Sequence, residues 1–283
     1  MPYHALRGFR SSLLNGEPKF GLLALSGSAQ LVERGGFLGL DFVVLDMEHT
    51  DGVGISEMLH LIRAADGAGL PAVVRVPRSD PSLIQRVLDF GAAGICVPHV
   101  SSAADAQCAV AAAKYPPDGS RSTCPYIRAS EYGGKEDVAA YAAEANRETM
   151  VMALVEDRRG MNDLDAILAV PGLDAVLVGS SDLARDLGLP GTGTHPEIEK
   201  WRRHTAEAAR RHGVVASITI STSLGVSEES RAAEIEKLLA EGFTMFMWQD
   251  TSVFREAVLG LRRAYRGAGT PVGANDRKNG IAG

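Results

Sequence analysis

The chain has 283 residues, 45% hydrophobic and 23% charged, the balance of an ordinary globular protein with ample material for a core. A formal net charge of −6 and the lack of any Lys/Arg block exclude a phosphate-tracking surface, so nucleic acid is not an expected partner. No apolar run reaches the length of a membrane span, Met1 to Arg10 lacks the apolar centre of a signal peptide, and Cys96, Cys108 and Cys124 have no pairing or metal-ligand spacing; a cytoplasmic protein with free thiols and no membrane contact is expected.

Eight short β-branched runs follow one another along the chain: Phe20–Leu25, Phe42–Asp46, Ala72–Val76, Gly94–Val97, Val151–Glu156, Ala175–Gly179, Val214–Ile220 and Thr244–Trp248. Helical stretches separate them. Ile55–Gly67 sets Met58, Leu59, Ile62 and Ala65 on one face, Pro81–Phe90 does so with Leu83, Ile84, Val87 and Leu88, and Glu197–His212 is polar and alanine-rich. Glycines at Gly69, Gly91, Gly213 and Gly242 stand where a helix must give way to a strand. Eight evenly spaced β/α units, with no Gly-x-Gly-x-x-Gly turn after the first strand, predict a (β/α)8 (TIM) barrel over residues 1–266 rather than an open doubly wound sheet. Residues 267–283, without apolar period, are expected to be a flexible tail or to pack on a neighbouring subunit. Tyr115 to Gly134, rich in Pro, Gly, Ser and Arg, is a connection long enough to be functional or disordered.

Ionisable groups close several strands. Phe42-Val43-Val44-Leu45 runs into Asp46-Met47-Glu48-His49, Ala72-Val73-Val74 into Arg75, Met152-Ala153-Leu154-Val155 into Glu156, and Ala175 to Gly179 into Ser180-Ser181-Asp182. In a parallel barrel all strand carboxyl ends open on one face, so these groups converge. Glu156 and Asp182 offer hard oxygen donors for Mg²⁺ or Mn²⁺, leaving coordination positions for a chelating 2-oxo acid. A cation and Arg75 at the keto oxygen would stabilise an enolate. No lysine ends a predicted strand, so a Schiff-base route lacks its nucleophile, and His49 is the candidate proton carrier. Each has a plainer reading: Glu156 as a salt bridge to Arg158 or Arg159, Asp182 as a helix cap, His49 as a structural histidine, Asp89 as a solvated carboxylate late in a helix. Glu48 is either a support for a metal-bound water or part of a surface pair. Arg121 and Arg128 either bind an acceptor anion or pin their loop, and His99 is a candidate for lining the pocket.

With these residues in place the chain resembles the HpcH/HpaI family of metal-dependent (class II) pyruvate aldolases, which act on 4-hydroxy-2-oxo and 2-keto-3-deoxy acids. The matching pieces run from Phe20 to about Tyr265: Gly21-Leu22-Leu23-Ala24-Leu25-Ser26, Asp41-Phe42 through His49, Val74-Arg75-Val76-Pro77, Leu88-Asp89-Phe90-Gly91-Ala92 through Val97-Pro98, Pro116-Pro117-Asp118-Gly119-Ser120-Arg121, Val155-Glu156, and Gly179-Ser180-Ser181-Asp182-Leu183. The resemblance implies a carbon–carbon lyase in which His49 is the acid/base residue oriented by Asp89, Arg75 contacts the pyruvate oxygen, Glu156 and Asp182 hold the metal (Mg²⁺ or Mn²⁺, with Co²⁺ a third candidate), and the N–H groups of Ser181 and Asp182 cradle the pyruvate carboxylate. It also implies barrels that exchange their last helix and assemble as homo-oligomers, hexamers built from dimers. The partners so implied are pyruvate or oxaloacetate and an aldehyde or keto acceptor.

Two departures stand out. Many family aldolases carry glutamine two residues before the metal-binding glutamate, where this chain has Leu154, and Ser122-Thr123-Cys124-Pro125-Tyr126-Ile127-Arg128 replaces a glycine-rich turn, which is expected to reshape the acceptor entrance. These keep open an oxaloacetate decarboxylase, or a condensing enzyme joining an enolate to a keto acid. A non-catalytic dicarboxylate-binding barrel is a third reading, disfavoured because His49, Arg75, Glu156 and Asp182 are all present.

Overall fold

The computed structural model describes residues 8–190, 195–220 and 227–267. Eight strands, β1 (Lys19–Ala24), β2 (Phe42–Asp46), β3 (Ala72–Arg75), β4 (Gly94–Val97), β5 (Met150–Val155), β6 (Ala175–Val178), β7 (Val215–Thr219) and β8 (Phe243–Gln249), pair in parallel and in sequence order. The ring closes where β8 pairs with β1, Phe246 opposite Phe20 and Trp248 opposite Leu22. All eight predicted strands are present, with no end moved by more than one residue. The helices are α1 (Phe9–Leu14), α2 (Ala29–Phe37), α3 (Ile55–Gly67), α4 (Pro81–Asp89), α5 (Ala103–Ala113), α6 (Val138–Glu148), α7 (Arg158–Asn162), α8 (Leu164–Leu168), α9 (Ser180–Asp186), α10 (Pro196–His212), α11 (Glu228–Glu241) and α12 (Asp250–Gly267). No helix among the described residues is long and apolar enough to cross a membrane. The tail from residue 268 onward lies outside the described residues.

Strand alternation divides the core in two. Leu23, Val44, Val73, Cys96, Met152, Leu154, Leu177, Val215, Met245 and Met247 fill the barrel interior, while Val43, Leu45, Val74, Ile95, Val151, Val176 and Ile218 face the helices. The amino-terminal end of the barrel is plugged by α1, whose Phe9 and Leu13 join the interior cluster, Phe9 stacking 5.8 Å from Phe42. The opposite end has no such plug among the described residues, and the next inward positions of β2, β3 and β5 there are Asp46, Arg75 and Glu156. A barrel sealed at one end thus presents its polar layer at the other.

Helix faces follow the predicted periodicity with one exchange: α3 buries Met58, Leu61, Ile62 and Ala65, leaving Leu59 half-buried. Pro81 follows the Asp80 cap of α4, whose carboxylate accepts from the N–H of Ser82 and Leu83. Gly213 and Gly242 take left-handed φ values of 68° and 105° at the ends of α10 and α11, a conformation that costs glycine nothing. The Tyr115–Gly134 connection is ordered: a 3-10 turn spans Arg128–Gly133, and Asn146 accepts from the Tyr115 N–H through Oδ1.

Candidate active site

Asp46 is the anchor of the polar layer. Its side chain is fully buried, Oδ1 accepts from Arg75 Nε at 2.6 Å and from the Glu48 N–H at 3.0 Å, and Oδ2 accepts from the His49 N–H at 2.9 Å. One carboxylate therefore fixes the arginine of the neighbouring strand and folds its own strand's exit into a turn. Burial alone would raise the Asp46 carboxyl, but the Arg75 guanidinium and the two N–H donors outweigh it and hold the group below the usual carboxylate range.

That turn aims Glu48 inward. Its side chain is 8% exposed; Oε2 is ion-paired with Arg75 Nη1 at 3.2 Å and lies 3.5 Å from His49 Nε2, both short of hydrogen-bond geometry, so this buried oxygen has no hydrogen bond. His49 stands at the rim with its side chain 61% exposed. Glu156, one residue past β5, is buried and accepts at Oε1 from the His99 backbone N–H at 2.8 Å. Burial pushes the Glu156 carboxyl up; the His99 N–H and ring draw it back, and the charges of Glu48 and Asp182 raise it further. Gly179 makes room for it: a Cβ there would lie 2.5 Å from Glu156 Cβ and 2.6 Å from Oε2.

His99 completes the cluster. It follows Val97-Pro98 at the exit of β4 with φ of 57°, left-handed and uncommon for a non-glycine residue, which folds its ring over the carboxylates. Nδ1 lies 2.8 Å from Glu156 Oε1 and Nε2 3.3 Å from Glu48 Oε1. One donor atom each from Glu48, His99 and Glu156 lie within 4.8 Å of one another. Two largely buried carboxylates and an imidazole form a donor set that fits a divalent cation.

Asp46, Glu48, His49, Arg75 and Glu156 are therefore brought together as the strand ends predict. Asp182, in the first turn of α9, acts electrostatically on Glu156, but its carboxylate is ion-paired with Arg185 on the more exposed side. Ser181 precedes it; the N–H groups of Ser181 and Asp182 lie in a helical first turn that offers them no intrahelical acceptor. Leu154 is buried in the barrel interior, its Cδ1 close to Gly179.

One expectation is not met within a single chain, and two open alternatives are decided there. Asp89 does not meet His49: it ends α4 at the amino-terminal side of the barrel, where Arg121 Nη2 donates to it at 2.7 Å. Arg121 is buried beneath that pair and over the Tyr115 ring, and Arg128 donates to Asp66 and to the Phe90 carbonyl, so both guanidinia pin the Tyr115–Gly134 connection far from the strand-end cluster. The altered segment 122–128 accordingly does not reshape the strand-end mouth of its own chain. A helix end that leads into a strand lies opposite the strand exits, which is why Asp89, and the two arginines anchored beside it, part from the rest.

The arrangement bears comparison with known proteins. Residues 19–248 match the family model described as HpcH/HpaI aldolase/citrate lyase. The chain is 32% identical over 259 residues to a 5-keto-4-deoxy-D-glucarate aldolase of Shigella dysenteriae, covering 91% of this chain and 96% of that protein. Among solved structures, an HpcH/HpaI aldolase from Desulfitobacterium hafniense superposes with a TM-score of 0.81 at 30% identity, covering 91% and 96% of the two chains. The citrate synthase SbnG does so with a TM-score of 0.78 at 29% identity, covering 92% and 98%. With a closed barrel, a carboxylate and histidine cluster at its strand exits and a match over most of its length, the chain belongs to the HpcH/HpaI aldolase/citrate lyase family and is an enzyme of the lyase class.

Proposed function

We propose that the protein is a divalent-metal-dependent aldolase that cleaves and forms the C3–C4 bond of 4-hydroxy-2-oxo acids through the enolate of pyruvate. The observation that carries this reading is the convergence of Arg75, Glu48, Glu156 and the rim histidine His49 on one face, with Arg75 locked by Asp46. Glu156 and Asp182 are the residues that would hold the cation, which would supply Lewis-acid polarisation of the 2-keto oxygen. In cleavage His49 takes the proton of the C4 hydroxyl, the C3–C4 bond breaks with release of an aldehyde, and its electron pair becomes the enolate of pyruvate. Arg75 faces the enolate oxygen, and His49 returns the proton to C3. Ser181 and Asp182 present backbone N–H groups to the substrate carboxylate.

The aldolase of Shigella dysenteriae supports a deoxy-keto-aldarate as the substrate class. A second reading, condensation of an enolate with a keto acid or decarboxylation of oxaloacetate, is favoured by Leu154, which offers no hydrogen bond where many family aldolases have glutamine, and by the similarity to a citrate synthase. We further infer a homo-oligomer in which α12 packs on a second copy, since Phe254, Val258 and Leu261 expose an apolar face on it, and a cytoplasmic location, in keeping with three free cysteines.

Proton NMR of pyruvate in D₂O tests the reaction. Loss of the methyl signal that requires Mg²⁺ or Mn²⁺ and disappears in His49→Ala and Glu156→Ala is the expected result. Absence of exchange with any metal, together with turnover of oxaloacetate, would replace the aldolase by the second reading.

A further inference from the structure

Glu156 is the centre of the cluster, yet its nearest partner is not the carboxylate of Asp182. His99 meets it twice, through the backbone N–H and through Nδ1, both at 2.8 Å from the same oxygen. The other ring nitrogen points at Glu48 Oε1, 3.3 Å away. A neutral imidazole has one N–H and one lone pair, so it can hydrogen-bond as donor to only one of these two carboxylates. The geometry is also bought at a backbone price, since His99 occupies the left-handed region although it is not glycine. One donor atom each from Glu48, His99 and Glu156 thus lie within 4.8 Å of one another. Two largely buried carboxylates with an imidazole wedged between them are a donor set that a cation completes.

We propose that His99 is itself a ligand of the catalytic cation, placing one imidazole nitrogen beside Glu156 and turning an all-oxygen site into a mixed nitrogen–oxygen one. The inference rests on the metal-dependent reading above. Its consequence is selectivity. Oxygen-only sites suit Mg²⁺, whereas an imidazole donor raises affinity along the series from Mn²⁺ to Co²⁺ and leaves Mg²⁺, which prefers oxygen, little affected. The enzyme should therefore bind Co²⁺ and Mn²⁺ in preference to Mg²⁺ by a margin that His99 sets.

The test uses His99→Asn, because asparagine tolerates the left-handed backbone of this position, with His49→Asn as the control for the other nearby histidine. Pulsed EPR of the Mn²⁺-loaded protein reads directly coordinated ¹⁴N. Calorimetric titration gives Kd for Co²⁺ and for Mg²⁺, and a thermal melt verifies that each variant is folded. We expect nitrogen modulation in the parent and in His49→Asn but not in His99→Asn. Loss of the ligand should weaken Co²⁺ binding about 10- to 100-fold, with Mg²⁺ changed by much less. Nitrogen modulation that is absent from the parent or survives in His99→Asn, or Co²⁺ and Mg²⁺ affinities that fall in parallel, would overturn the assignment while leaving a metal enzyme. Failure of the parent to bind Mn²⁺, or binding unaltered in Glu156→Gln, would remove the metal reading itself and this inference with it.

Discussion

Asp46 and Arg75, 29 positions apart in the chain, are opposite one another in the β2–β3 register, and the carboxylate receives the guanidinium Nε at 2.6 Å. Nε is the inner edge of the guanidinium. Held by it, Arg75 keeps its Nη1 for Glu48, and the same carboxylate ties down the turn that carries Glu48 and His49. The pair is thus a hinge pin between two strands and the first loop of the site.

Asp46→Asn should therefore damage both stability and activity. Removing one member of a buried pair leaves a buried charge uncompensated, a loss of about 3–5 kcal/mol, measurable by urea unfolding. Activity per folded molecule should fall about 100-fold, the scale set by an ångström of misplacement, read as pyruvate released from a 4-hydroxy-2-oxo acid. Wild-type activity in a folded Asp46→Asn protein would show that Arg75 needs no anchor.

Gly179 offers a cleaner separation of fold from site. Its φ of −76° suits any residue, so Gly179→Ala brings no backbone strain, but the new methyl falls 2.5 Å from Glu156 Cβ and 2.6 Å from Oε2. Glu156 must shift. The expected outcome is a loss of Mn²⁺ affinity of at least about 10-fold by titration, with the far-UV spectrum unchanged; unaltered affinity would mean that Glu156 has room the packing does not show.

Strand alternation made most of the site legible. Once Val44, Val73 and Leu154 are assigned inward, Asp46, Arg75 and Glu156 must follow them two residues on, and the parallel topology gathers them. Glu48 and His99 lie beyond the strands, where no period applies: Glu48 turns inward because Asp46 accepts its N–H, and His99 because its backbone is left-handed. Neither cause is written in hydropathy. Asp89 parts from His49 within one chain for a reason the topology already holds, since the end of a helix that leads into a strand lies at the far end of its own barrel. Arg121 pairs with it there because a buried guanidinium needs an anion beside it.

The outer face of α12 carries its own prediction. Phe254 and Leu261 are 72% and 74% exposed and seven positions apart, two turns on one side of the helix, with Val258 between them. A face of that kind left in water invites association. Phe254→Asp with Leu261→Asp should convert the proposed homo-oligomer to a smaller species in light scattering at unchanged secondary structure; an unshifted mass would show that this face makes no subunit contact.

Lys114 yields a pH signature at the plugged end of the barrel. Its ammonium is buried and donates to the carbonyls of Asn146 and Thr149 at 2.7 and 2.5 Å. Burial lowers the group to about 8 from the ordinary 10.5, a drop that Asp174 opposes and Arg10 reinforces. Between those two values the unfolded chain binds the proton and the folded one does not, so stability rises with pH across that window, by up to about 1.4 kcal/mol per unit. Below about 8 both states are protonated and the penalty is constant; above 10.5 neither is and it vanishes. Urea unfolding of the parent and of Lys114→Met at pH 7, 8, 9 and 10 isolates the term, because other titrating groups cancel in the difference. The parent should gain on the variant from pH 8 to 10 and run parallel to it between 7 and 8. A constant difference throughout would mean that water reaches Lys114 and that its proton is as easily held in the fold as outside it.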